Sequence, residues 1–560
     1  MTDTSQVRPL TEVAADLGLS PSDLIPYGHD KAKLSPRLLT RPPTRQGRLI
    51  LVSAINPTPA GEGKTTTAVG LQMGLQRIGK QALLALREPS LGPVFGVKGG
   101  GTGGGRASLY PADDINLHFT GDLHAITTAH NLLAALADNA VYYRQRFGDK
   151  GELDGRQITL GRALDMNDRF LRRCVIGLGG KAHGTPREAR FDITAASEVM
   201  AVLALSTSYE DLKSRLSRIV VGATESGQPV TADDLQATGA MVAVLRDALL
   251  PNLVQTLEGG PALVHCGPFA NIAHGCSSAL ATRLGLGMAD YLITEAGFGF
   301  DLGGEKFLDL KCRQLGVWPR LVVLVATLRA LKLHGGAKLN SVGQPDAAAL
   351  DRGMAHLGQH LRSLQHFGLP AVVAINVFPD DSEGELQQLE AAVTAQGASV
   401  ARTTAFAQGG AGAETLAQIV ATVAERTDAA PPQPQFLYDL DNPFVDKLGK
   451  VARTVYGAAN VALTTTAHKD LERLTGWGYG NLPICVAKTQ LSLSDDPSRV
   501  GVPTGHTLTV REVRLSAGAG FLVALTGEIV TMPGLPQKPA AWNISLTDSG
   551  HVRGLMQNDG

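Results

Sequence analysis

The sequence predicts an α/β protein built on a mostly parallel sheet, and three features predict it. Short, wholly apolar runs recur along the chain, helical patterns lie between several of them, and the first run leads through a turn and a helix into a second run. Strands covered on both faces read as continuous apolar segments rather than alternating ones. A strand–loop–helix–strand unit is a βαβ crossover, which should be right-handed.

Residues 1–47 hold an amphipathic opening and a stretch punctuated by Pro36, Pro42 and Pro43. The first predicted strand is Leu49–Ile55, followed by a helix from Thr65 to near Gly79 and a second strand over Gln81–Leu86. Further buried-strand candidates are Cys174–Gly177, Ala262–His265, Tyr291–Thr294, Leu321–Ala326 and Ala371–Asn376, with a helix expected over Ala347–Phe367. The clearest linker is Asp428–Gln435, where three prolines fall among small polar residues. Beyond it the chain turns strand-rich, at His506–Arg514, Phe521–Thr526 and Ile529–Met532.

A chain of 560 residues exceeds what one hydrophobic core supports, so about two to four domains are expected. Hydrophobic content of 44% and charged content of 18% suit a soluble globular enzyme. The formal net charge of -1 gives no bulk attraction to nucleic acid or to an acidic membrane, and neither is expected as a partner. The polar N-terminus lacks the pattern of a secretory signal, and no apolar run approaches the roughly 18 residues of a membrane span. Five cysteines, odd in number and without a C-x-x-C pair, argue for a reducing compartment, so a cytoplasmic location is expected.

The main chemical signal is Thr58-Pro59-Ala60-Gly61-Glu62-Gly63-Lys64-Thr65. It follows a buried strand and opens a helix, the context a phosphate-binding loop (P-loop) needs. Amides at a helix N-terminus face an anion and the helix dipole favours it. Gly61 and Gly63 let backbone wrap phosphates, Lys64 can reach the β/γ oxygens, and the Thr65 hydroxyl can ligate Mg²⁺. The usual pattern begins with glycine, whereas this one begins with Thr58. ATP binding is the expectation. Arg87 and Glu88 end the second strand, where side chains of an open α/β sheet face the ligand crevice; an arginine there could hold an anionic acceptor beside the γ-phosphate, though a surface salt bridge is the plain alternative. The run Gly96–Gly105 is too glycine-dense for a packed helix or strand and fits a backbone that approaches a ligand closely.

Three other patterns carry less. Gly177–Ala182 fits G-x-G-x-x-A, yet Gly184 and Pro186 break the helix that would receive a pyrophosphate, so a turn is expected. His265-Cys266 and His274-x-Cys276 match no common zinc spacing and are expected to be simply buried. His118, His124 and His130 recur every six residues, which scatters them around a helix; packing or capping is expected, and His118 or His124 could contact an acyl group.

Several long segments resemble formate–tetrahydrofolate ligases, in the family's order and along nearly the whole chain: TPAGEGKTTT from Thr58, REPSLGPVFG from Arg87, DINLHFTGD from Asp114, FDITAASEVMA from Phe191, GPFANIAHGCSS from Gly267, TEAGFGFDLGGEKFLDLKCR from Thr294, PICVAKTQLSLSDDP from Pro483 and SAGAGFLVALTGEIVTMPGLP from Ser516. The resemblance implies a P-loop nucleotide-binding α/β domain with a mostly parallel sheet plus two smaller α/β domains. Their expected bounds are 1–340 for the nucleotide and formyl phosphate domain, 341–455 for a folate-site domain and 456–560 for a strand-rich C-terminal domain. A homotetramer is expected. The reaction implied is ATP, formate and tetrahydrofolate giving ADP, phosphate and 10-formyltetrahydrofolate through formyl phosphate. Residues matching Lys64 and Arg87 lie at the phosphoryl and formyl groups in the family, and the acid matching Glu88 is associated with activation by K⁺ or NH₄⁺.

The family usually holds the pterin between two aromatic rings. One matches Phe378; the other is commonly tryptophan, where this chain has Phe406. Phenylalanine keeps a stacking face but loses the N–H donor, so weaker or reoriented pterin binding is expected. In the glycine run, Gly101-Thr102 and Arg106 also depart from the family's common residues. The rival readings are a different P-loop ligase or small-acid kinase, and an ATP-switched partner-binding protein; the latter typically carries an early loop lysine where this chain has Pro59 and Ala60.

Overall fold

A computed structural model describes residues 5–59, 61–97, 101–527 and 529–555. Seven parallel strands form its centre: β1 (Arg48–Ala54), β2 (Ala82–Leu86), β3 (Pro261–Val264), β4 (Tyr291–Glu295), β5 (Leu321–Ala326), β6 (Ala371–Asn376) and β7 (Ser399–Thr403). Their order across the sheet is β3-β2-β4-β1-β5-β6-β7, every neighbouring pair parallel. Antiparallel strands extend the sheet beyond β3, first Asn252–Thr256, then Ala32–Leu34 and Leu24–Pro26. Because β6 and β7 continue the same ladder, the sheet has no break at residue 340.

The period-two geometry of a strand divides the apolar runs between two cores. Leu49 and Leu51 of β1 face one core with Val322 and Leu324 of β5, while Ile50 and Val52 face the other with Val323 and Val325. Helices α1 (Lys64–Arg77) and α5 (Glu414–Arg426) cover the second face. On the first face lie α2 (Ala279–Met288), α3 (Leu328–His334) and α4 (Ala347–His366). Both faces being apolar is why these strands read as unbroken hydrophobic runs.

After the proline-rich segment, helix α6 (Phe444–Tyr456) packs with a separate core on a four-stranded sheet. Its strands are β8 (Asn460–Leu463), β9 (Ile484–Ala487), β10 (Thr507–Ser516) and β11 (Phe521–Thr526), in the order β8-β10-β11-β9.

Three short runs depart from expectation. In the glycine run, residues 98–100 lie outside the described residues, and Gly103–Gly104 forms a two-residue strand antiparallel to Ala107–Ser108, its backbone pairing without any side chain to pack. Cys174–Ile176 is no buried parallel strand: it pairs antiparallel with Arg187–Ala189, and Val175 is 59% exposed. Three apolar residues beside Arg172 and Arg173 are too few to demand a core. Ile529–Met532 forms no strand; its Thr531 carbonyl instead accepts from Ile193 N–H at 2.9 Å. No long helix follows the G-x-G-x-x-A match: residues 177–186 form the loop between the two arms of the Cys174 hairpin, with Gly177 at φ +76° and a 3-10 turn at Lys181–His183.

Helix α1 approaches its neighbours closely enough that side chains would collide. A Cβ on Gly70 would lie 2.4 Å from the Ala405 methyl, and one on Gly74 would lie 2.9 Å from the Ala413 carbonyl oxygen. Gly70→Val should therefore lower unfolding stability by about 1–3 kcal/mol, the usual cost of overpacking. Denaturant titration reads this out, and an unchanged midpoint would show that the α1 docking is looser than described.

Candidate functional site

In an open parallel sheet, ligands bind outside the carboxyl ends of the strands where the connections diverge. Here β1 leads to β2 on one side, while β4 leads to β5 across β1 to the other. The carboxyl ends of β1, β4 and β5 thus frame the crevice, and the sequence-predicted residues collect along this edge.

The loop after β1 is held by its own side chains. Thr58 donates from its amide and its hydroxyl to the buried Glu62 carboxylate, at 2.7 and 2.9 Å. Gly61 N–H donates to the Thr58 carbonyl at 3.0 Å. From the end of β6, Asn376 donates its side-chain amide to the Glu62 carbonyl at 3.2 Å. Gly61 and Gly63 have φ of +75° and +71°, a left-handed backbone that favours glycine. Gly63 is also the N-cap of α1 and supplies no capping side chain, leaving first-turn amides for an anion. Lys64 and Thr65 open the helix half-buried, Pro59 is exposed, and Ala60 lies outside the described residues. The Thr65 hydroxyl donates to Glu295 Oε2 at 2.9 Å; Glu295 ends β4 and is buried.

Arg87 and Glu88 follow β2. Arg87 Nη1 donates to the Pro268 carbonyl at 3.2 Å, and the guanidinium lies over Gly297, where a Cβ would stand 3.0 Å from both terminal nitrogens. Its Nε is buried without a partner among the described residues. Glu88 is buried too, and its Oε2 has no partner there. Burial pushes the Glu88 carboxyl well above the usual range; the Asp122 charge adds to this and Lys33, paired with Asp122 at 2.8 Å, opposes it.

Phe378 and Phe406 follow the adjacent strands β6 and β7, and Val377 N–H donates to the Thr403 carbonyl at 3.0 Å where the two loops start. The Arg329 guanidinium lies 4.2 Å over the Phe378 ring. Phe406 is 46% exposed, and its carbonyl accepts from Arg106 N–H at 2.8 Å. No ring contact joins the two phenylalanines among the described residues.

Of the discounted histidines, His265 and His130 are held structurally, His118 and His124 are outlying, and His274 is buried with neither ring nitrogen partnered among the described residues. His265 has both ring nitrogens occupied, by Ser278 Oγ at 2.7 Å and the Ala248 carbonyl at 2.8 Å, and burial pulls its pKa down to about 4. His130 is buried against the Gly161 carbonyl, whereas His118 and His124 are exposed. Sequence reasoning missed Glu295 and Asn376. Each is a polar residue closing a mostly apolar strand at its carboxyl end, and that position was the available signal.

The loop geometry gives a direct test. A methyl on Gly63 would need a left-handed backbone and would meet Asn376 Nδ2 at 2.3 Å. Gly63→Ala should cost on the order of 1–2 kcal/mol from the backbone alone. A thermal melt at wild-type temperature would contradict the close Gly63–Asn376 approach.

With the geometry established, comparison with known proteins is informative. The family model described as formate–tetrahydrofolate ligase matches residues 1–556. The formate–tetrahydrofolate ligase of Myxococcus xanthus is 62% identical over 553 residues, covering 99% of this chain and 100% of the relative. Those of Symbiobacterium thermophilum and Hyphomonas neptunium are 55% and 54% identical, covering 99% and 98% of this chain and 98% of each relative. The chain belongs to the formate–tetrahydrofolate ligase family.

Proposed function

We propose that this protein ligates formate to tetrahydrofolate at the expense of ATP, giving 10-formyltetrahydrofolate, ADP and phosphate. The observation that carries the site assignment is the uncapped, left-handed Gly61–Gly63 turn at the head of α1, with the partnerless Arg87 Nε on the same sheet edge. Residues 58–65 hold the ATP phosphates, with Lys64 at the β/γ oxygens. A formate oxygen attacks the γ-phosphorus and ADP leaves, giving formyl phosphate. The folate's secondary amine then attacks the formyl carbon, phosphate departs and the nitrogen loses its proton. Oxide is a prohibitive leaving group from formate, whereas phosphate leaves readily. Lys64 and Arg87 spread the anionic charge of both transition states, and the site must exclude water from the mixed anhydride.

The residues fit the ions this chemistry uses. A hydroxyl and a carboxylate oxygen meet at Thr65 and Glu295, the hard donors that suit Mg²⁺. Mg²⁺ there would neutralise phosphate charge, with Thr65 as ligand and Glu295 orienting it. The partnerless buried oxygen of Glu88 suits a monovalent cation such as K⁺ or NH₄⁺. Phe378 and Phe406 would take the pterin between them. A homotetramer belongs to the same reading, and Phe170 and Trp542, 86% and 70% exposed, are large apolar side chains an assembly could cover. No helix among the described residues is long and apolar enough to cross a membrane, which agrees with a cytoplasmic site of action.

The first test follows ADP and formylated folate together, with ATP and Mg²⁺, supplying formate and tetrahydrofolate singly and then jointly. Both products in step, only with both substrates, is the expected result. ADP release indifferent to formate and folate would indicate an ATP-switched protein instead. Lys64→Ala and Arg87→Ala should each lower kcat about 10²–10³-fold in folded protein, the typical loss of one charge-stabilising donor; wild-type turnover by either would remove its role. Phe406→Ala should raise the KM for folate about two- to tenfold, the scale of one stacking contact, and an unchanged KM would dismiss it from the folate site.

A further inference from the structure

Three histidines unused by the reaction surround the residue that precedes the phosphate loop. Asn56, His356 and His360 are 0–1% exposed and His334 is 6% exposed. His334 ends α3, and His356 and His360 lie one turn apart on α4. The His334 and His356 rings stack with centroids 3.8 Å apart, and the His360 ring stands edge-on to His356.

The hydrogen bonds fix where each proton sits. His356 Nδ1 lies 2.8 Å from the Gly501 carbonyl, which can only accept, so Nδ1 carries the hydrogen and Nε2 is bare. Asn56 Nδ2 faces two acceptors, Asp301 Oδ2 at 3.2 Å and the Gln490 carbonyl at 3.0 Å, so Asn56 Oδ1 is an acceptor. His360 Nε2 lies 3.1 Å from that Oδ1 and 3.3 Å from His356 Nε2, and must be the donor to both. His334 Nε2 donates to the Asn56 main-chain carbonyl at 3.1 Å. Asp301 is paired in turn with Lys488 at 2.8 Å, both fully buried. Every hydrogen-bonding group of Asn56 named here is thus held from α3, α4, the Asp301 helix or the 488–501 segment of the C-terminal module.

We propose that His334, His356 and His360 are positioning residues for nucleotide binding: through Asn56 they lock the start of the phosphate loop and make its placement depend on the C-terminal segment 488–501. Packing alone would require neither a single set of tautomers nor a donor aimed at each acceptor of Asn56. The His356 ring must be neutral for its Nε2 to accept, and burial, the largest cause at each, lowers the pKa values of all three histidines, that of His360 to about 4. The inference rests on residues 58–65 being the ATP-phosphate site.

The test compares His360→Leu, which keeps bulk and removes the donor, with His360→Gln, which keeps a side-chain N–H. His360→Leu should raise the KM for ATP about tenfold, the scale of stranding a buried acceptor, with the KM for folate and the far-UV circular dichroism near wild type. His360→Gln should recover most of that loss. A folded leucine variant with a wild-type KM for ATP overturns the proposal, and so does an equal loss in both variants. If the leucine variant does not fold, Asn56→Ser, too short to reach His360, replaces it: a raised KM for ATP supports the proposal and a wild-type value overturns it. Lys64→Ala separates the two levels, because undiminished ATP binding by that variant refutes the phosphate-loop reading itself, whatever the histidine variants do.

Discussion

The position of β1 constrains everything else. It is hydrogen-bonded on one edge to β4 and on the other to β5, and its two faces lie in different cores. With edges and faces occupied, only its carboxyl end is open to a ligand. The chain runs from there through residues 55–63 into α1, whose first turn has no capping side chain. The proposed anion site thus sits at the end of a strand whose edges and faces are already occupied. Arg87 after β2, Glu295 at the end of β4 and Asn376 at the end of β6 are brought to the same edge by the parallel ladder.

Buried polar groups at this edge fall into two sets. Those that shape the loop are satisfied: the Glu62 carboxylate by Thr58, the Glu62 carbonyl by Asn376, and Asn56 by its ring of histidines and carbonyls. Others are left open, including Arg87 Nε and Glu88 Oε2. Leaving a buried donor or acceptor unmet costs about 1–3 kcal/mol, more when it is charged. Such a cost is tolerated in a native protein where a ligand relieves it, and these two adjacent residues carry one unmet donor and one unmet acceptor. The satisfied set holds the loop in shape; the open set lies where the proposed reaction would place charge.

Much of this was legible in the sequence. Strands such as Leu321–Ala326 and Ala371–Asn376 are readable because burial on both faces removes any polar alternation. The loop at 58–65 is readable because glycine spacing, a strand before and a helix after are all local. What stayed hidden depends on distant partners. Nothing near Thr65 announces Glu295, and nothing near Asn56 announces Gln490 or Gly501. His356 and His360 share a helix face by their spacing, but their purpose appears only when α3 and the C-terminal segment close around them. The misread runs at Cys174 and Ile529 fail for a related reason: their partners lie elsewhere in the chain, the Arg187–Ala189 arm for Cys174–Ile176 and the Ile193 amide for the Thr531 carbonyl.

Helix α1 gives a physical connection between the two halves of the proposed reaction. Its first turn is the phosphate end, and two turns later Gly70 lies against Ala405, the residue before Phe406. The side chain of Phe378 is backed by Arg329, itself bonded to Asp380, so that wall is braced through charge. Among the described residues Phe406 has no comparable brace. It stands on a four-residue helix, 46% exposed, and its backbone carbonyl is tied to Arg106 in the glycine-rich segment. One wall of the proposed folate site is thus braced through charge, and the other rests on α1 and on glycine-rich backbone.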